Sequence, residues 1–156
     1  MYLTVHAAAG GAIGQWVNQP WLAFVIGFAS HLVLDMIPHG DEGISSWTWF
    51  KTERARIVAA GMIDLVLMVV MLVIWIKYSG YGQISQLPGM IAGTAGAVAP
   101  DALWGFQELT GAPLLRQYRA WHQKTHNIIK TKLTTNQGFL LQIPLLVILT
   151  WIILML

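Results

Sequence analysis

Residues 57–76 form an apolar run in which Asp64 is the one charged residue. As a helix this run is about 30 Å long, which matches the hydrocarbon core of a bilayer. A carboxylate inside such a span is unfavourable by about 2.5–3.5 kcal/mol on insertion scales, so Asp64 requires a partner or a cavity. One stretch therefore sets the solvent of the fold and demands a polar feature within it. The remainder agrees, since 56% of the 156 residues are hydrophobic and 10% are charged. The expected fold is all-α, a single integral membrane domain over 1–156.

Four further apolar segments accompany this span. Tyr2 to Val17 is rich in glycine and alanine and ends at Asn18-Gln19-Pro20; at about 24 Å it is short for a span and needs tilt or shelter. It lacks the basic start of a signal peptide and is expected to be retained. Trp21 to Pro38 is the second segment, and Trp16 and Trp21 bracket the turn before it as interfacial aromatics do. Pro88 opens a glycine-rich helix reaching about Gln107, with Pro100-Asp101 inside it. Gly138 to Leu156 is the last span. Between these two, Leu114 to Ile129 alternates apolar with basic and aromatic residues, the pattern of an amphipathic interfacial helix. The expectation is five membrane helices plus one surface helix.

Lysine and arginine set the orientation. Lys51, Arg54 and Arg56 follow the second segment, and Arg116, Arg119, Lys124, Lys130 and Lys132 lie before the last span. The positive-inside rule puts both loops and the N-terminus in the cytoplasm of a cell whose inner membrane holds the chain. The net charge of +2 is accounted for by these flanking residues, which leaves no basic patch for nucleic acid. All five histidines then thread to the cytoplasmic face.

The chemistry is densest in Ser30 to Asp41, where His31, Asp35, His39 and Asp41 close an apolar segment. On a helix, His31 and Asp35 share a face, and Pro38 frees His39 and Asp41 to turn toward them. His122 and His126 form a second pair spaced four apart. With no cysteine, any metal must be held by imidazole and carboxylate, a donor set suited to zinc, with manganese or iron next. Small residues repeat every fourth position and end in ionisable ones: His6-Gly10-Gly14, Gly27-His31-Asp35, Ala60-Asp64, Gly89-Gly93-Ala97-Asp101. Such ridges permit close helix packing and gather the polar ends.

The order His6, His31-x-x-x-Asp35-x-x-Pro38-His39-x-Asp41, Pro100-Asp101 and His122-x-x-x-His126 resembles the bacterial and archaeal family of membrane-bound metal-dependent hydrolases. That family often carries Asp-x-Asp-His after the proline and His-Arg-Gly-x-Thr-His later, where this chain has Pro100-Asp101-Ala102-Leu103 and His122-Gln123-Lys124-Thr125-His126. The His31 stretch is also similar to the motif of zinc-dependent phospholipase C and related nucleases, which cleave phosphoesters at a site of three zinc ions. The resemblance implies a divalent-metal hydrolase acting on a phosphoester or lipid-like substrate. Expected metal ligands are His6, His31, Asp35, His39, Asp101, His122 and His126. Asp41 is the candidate general base, and Asp64 a further ligand or a carboxylate orienting a histidine; Arg119 and Lys124 are candidates for binding a phosphate or headgroup. A metal- or proton-coupled transporter and a non-catalytic assembly protein are the alternatives.

Overall fold

The computed structural model describes residues 1–17, 19–40, 49, 51–78, 85–131 and 133–155. Among them the chain forms six α-helices and no strand: α1 (Leu3–Val17), α2 (Pro20–Asp35), α3 (Glu53–Tyr78), α4 (Leu87–Thr110), α5 (Arg116–His126) and α6 (Thr135–Met155). A 3-10 turn, Pro113–Leu115, joins α4 to α5. The breakers act as their chemistry requires. Pro20 opens α2, where its missing N–H costs nothing, and Gly111 ends α4 at φ +69, a left-handed conformation that glycine adopts without strain.

α1 is the central element, buried from Thr4 to Gly11 and again at Gly14 and Gln15. Its glycine ridge is met by that of α4. A Cβ on Gly10 would collide with the Gly93 carbonyl and stand 2.7 Å from the Ala97 Cβ, and one on Gly14 would run into Gly89. α2 uses the same groove, since a Cβ on Gly27 would also strike Gly93. The every-fourth-residue ridges therefore form the α1–α2–α4 contact, where backbones approach closely enough to exclude any side chain. On the other side of α1, Ala8 joins Trp75 of α3, Met90 of α4 and Ile153 of α6 in an apolar cluster.

Among the described residues, two helices are long and apolar enough to cross a membrane, Ala55–Tyr78 within α3 and Thr135–Met155, which is α6. This is fewer than the five expected from hydropathy. α1 and α2 have 15 and 16 residues, about 22–24 Å of helix, and α4 is diluted by glycine, threonine and polar residues. α3 and α6 instead turn wide apolar faces outward, including Val66, Val73, Leu140 and Val147. Trp16 and Trp21 are both exposed beside the α1–α2 turn.

Candidate metal centre

Asp35 is the hub of the polar interior. It closes α2 one turn after His31, and both side chains are fully buried. The amino group of Met1 donates to Asp35 Oδ1 at 2.7 Å, and His6 Nε2 meets the same oxygen at 3.0 Å. Around Asp35 Oδ2 stand His31 Nε2 and His126 Nε2, each at 2.9 Å, and His122 Nε2 at 3.6 Å. Asp101 Oδ1 lies 3.6 Å from His31 Nε2 and 3.8 Å from His122 Nε2.

Backbone carbonyls fix the imidazole tautomers. His31 Nδ1 lies 2.7 Å from the Ala97 carbonyl oxygen, and His39 Nδ1 lies 2.6 Å from that of Ile37. A carbonyl can only accept, so each Nδ1 carries the hydrogen and each neutral ring keeps its lone pair on Nε2. For His31 that lone pair confronts the Asp35 carboxylate and, at 3.1 Å, His122 Nε2. Asp35 Oδ2 is buried with the Nε2 atoms of His31 and His126 both within hydrogen-bonding distance. With its hydrogen on Nδ1, His31 presents a lone pair to this anionic oxygen, an arrangement that repels unless a cation lies between them.

Among the described residues two donor groups could hold a metal ion, one of His31, Asp35, Asp101 and His122, the other of Asp35, His39 and His126; within each, one ligand atom per residue lies within 4.8 Å of the others. α5 supplies His122 and His126 from one face. Tyr118, one turn earlier, stacks on His122 at 5.8 Å between ring centroids and donates its hydroxyl to the Pro100 carbonyl at 2.9 Å, tying α5 to the turn that carries Asp101. Burial pushes the His122 pKa down to about 4, so its imidazole is neutral at physiological pH. Burial together with the carboxylates of Asp101 and Asp35 raises the Tyr118 pKa and keeps the phenol a donor.

Six of the expected ligands fall in these groups, and two expected participants take other positions. His6 is absent from both. It stacks on His31 with ring centroids 3.9 Å apart and holds Asp35 Oδ1 from behind. Asp64 does not join the cluster either: its carboxylate receives the backbone N–H groups of Leu3 and Thr4 and the Thr4 hydroxyl, so it caps the start of α1. A helix N-terminus offers unsatisfied donors and a partial positive charge, which meets the need of a carboxylate in an apolar span without a metal. Asp41 lies outside the described residues.

Sequence reasoning missed Gln142. Its side chain, buried in α6, donates to the His39 carbonyl at 2.7 Å and accepts from Tyr2 N at 2.8 Å. Beside it Gly40, at φ +70, packs on Gly138 and Thr134, where a side chain on either glycine would strike backbone. The segment bearing His39 is thus strapped to α6. An isolated glutamine in an apolar helix was the available signal.

On the adjoining face of α5, Arg116, Arg119, Ala120 and Gln123 line a groove of about 470 Å³ with Gln107 of α4. Arg119 pairs there with Glu108 at 2.6 Å, and Lys124 is exposed away from the lining. Comparison with protein-family models, with curated proteins and with solved structures finds no match, so the meaning of the site rests on its own geometry.

Proposed function

We propose that this chain is a multi-pass membrane hydrolase that uses divalent metal, zinc first, to cleave a phosphoester or lipid-like substrate at the cytoplasmic face. The observation that carries the metal reading is His31: with Nδ1 committed to Ala97, its Nε2 lone pair faces the buried Asp35 Oδ2 at 2.9 Å. Four histidines and two aspartates, without thiols, match the donor preferences of zinc. A divalent ion bound there lowers the pKa of water toward neutrality and polarises a phosphoryl oxygen.

The chain's own residues do the rest. The Ala97 and Ile37 carbonyls hold two imidazoles in ligand-ready tautomers, and His6 steadies Asp35. Asp41, two residues beyond His39, is the proposed general base. Arg116 and Arg119 in the α5 groove offer charge for a phosphate or headgroup. The wide apolar faces of α3 and α6, with α1, α2 and α4 gathered beside them, support membrane embedding, and the lysine and arginine pattern supports a cytoplasmic N-terminus.

The test is metal content followed by turnover. Tag-free protein equilibrated with zinc and then desalted should retain at least one ion per chain, and Asp35→Ala should lose it. Less than one ion per chain in the wild type, unchanged by Asp35→Ala, would refute the metal reading. Metal-loaded protein should release p-nitrophenol from bis(p-nitrophenyl) phosphate or cleave phospholipid vesicles; zinc uptake into proteoliposomes without hydrolysis would replace the enzyme with a transporter.

A further inference from the structure

The groove beside the histidines has a feature that the metal centre does not use. Arg116, Arg119, Ala120 and Gln123 recur at steps of three and four residues, so they form one ridge of α5 next to the ridge of Tyr118, His122 and His126. With Gln107 of α4 they line a space of about 470 Å³, the size of a small-ligand pocket. Gln107 is 6% exposed, and among the described residues its Oε1 is buried with no hydrogen-bond partner. A buried carbonyl oxygen left unpaired is unfavourable, and a ligand that brings a donor relieves it. The charges add a second requirement. Arg119 is matched by Glu108, so Arg116 supplies the net positive charge of the groove.

We propose that this groove binds the headgroup of an anionic glycerophospholipid whose alcohol bears free hydroxyls, with Arg116 on the phosphate and Gln107 Oε1 accepting from a hydroxyl. The inference rests on the lipid-like substrate proposed above and needs no metal. A zwitterionic ammonium headgroup fits less well. It brings no net negative charge to match Arg116, and one neutral amide oxygen does not replace the water that a buried ammonium loses. A hydroxyl is satisfied by that single acceptor. The rim points to a lipid as the source of the phosphodiester: Phe106 and Leu109, on either side of Gln107 in α4, and Leu114, two residues before Arg116, are all more than half exposed. Apolar side chains beside arginine suit a surface that meets acyl chains and headgroups together. Because the ridge and the histidines share α5, a lipid held there lies next to the metal centre.

The experiment titrates the metal-free full chain in detergent with dioctanoyl lipids and reads bound lipid by native mass spectrometry. One phosphatidylglycerol per chain is expected, held about tenfold tighter than phosphatidylmethanol, which keeps the phosphate charge but has no hydroxyl, and than phosphatidylethanolamine. Gln107→Leu should erase the preference over phosphatidylmethanol. Arg116→Gln, at an exposed position, should weaken both anionic lipids alike and keep the preference. Gln107→Met replaces Gln107→Leu should the latter fail to fold, judged by helical circular dichroism and a monodisperse elution profile. Equal affinity of the wild type for phosphatidylglycerol and phosphatidylmethanol, or a preference that survives in a folded Gln107 variant, would overturn the proposal. Glycerophosphoglycerol binding as tightly as the lipid would overturn the lipid source and assign the groove to a soluble phosphodiester. Vesicle hydrolysis without selective lipid binding would remove this site and keep the substrate reading, whereas selective binding without hydrolysis would keep the site and remove the enzyme.

Discussion

Replacing Gly10 by alanine probes whether the α1–α4 contact positions the centre. The added Cβ would press on the Gly93 carbonyl and lie 2.7 Å from both the Gly93 carbonyl carbon and the Ala97 Cβ. Carbon atoms pack at about 3.5–4.0 Å, so the helices must part by about 1 Å. Overpacking of this kind costs about 1–3 kcal/mol, and because the obstacle is backbone, it outweighs the gain of up to about 1 kcal/mol in helix propensity. The displacement has a direction that matters. His6 lies one turn before Gly10 on α1, and Asp101 lies one turn after Ala97 on α4, so both move relative to His31. A shift of about 1 Å exceeds the roughly 0.5 Å tolerance of a ligand shell, and zinc affinity should fall by about tenfold or more. The assay pairs thermal melting in detergent with zinc competition against a chelating dye. Gly61→Ala is the matched control, since a Cβ there meets nothing within 4 Å and should leave melting unchanged or slightly raised. If Gly10→Ala melts and binds zinc as the control does, the ridge contact does not govern the site.

Asp64→Ala removes the cap on Leu3 and Thr4 and should lower stability by about 1–3 kcal/mol while leaving zinc stoichiometry intact, as measured by melting and elemental analysis; a lost ion would restore Asp64 as a ligand. Gln142→Leu strips the His39 carbonyl and Tyr2 N–H of their buried partner; a loss of about 1–3 kcal/mol and weaker zinc retention are expected, against unchanged melting if the strap is dispensable. His122 is buried neutral with its pKa lowered to about 4 from 6.5, so the unfolded chain binds a proton there that the folded chain refuses. Its contribution is therefore lost as pH falls from about 6.5 toward 4, and melting of metal-free protein over that window should drop less in His122→Asn than in the wild type.

Local periodicity made part of this arrangement legible in the sequence. His31 and Asp35 stand one turn apart, and so do the small residues of α1 and α4; helix geometry alone puts each set on one face. The cost of burying Asp64 was equally legible, but not its partner, because the donors that satisfy it belong to the start of a helix 60 residues away. The same gap explains His39. Its place depends on the φ of +70 at Gly40 and on an amide in α6, neither of which a motif discloses. Hydropathy suggested five spans where two described helices are long and apolar enough to cross a membrane, because glycine- and alanine-rich helices such as α1 look apolar whether they face lipid or other helices. Here α1 faces helices along nearly its whole length.

The bond between Gln142 and the His39 carbonyl joins residues 103 positions apart, and the same side chain reaches back 140 positions to Tyr2. A chain emerging from the ribosome holds His6, His31 and Asp35 long before α5 and α6 exist. The first half of the protein therefore carries these side chains throughout synthesis without the α5 and α6 residues that surround them in the finished fold. The bonds that hold the His39 segment to α6 can form only after the sixth helix is made, so the cluster is completed late in biogenesis.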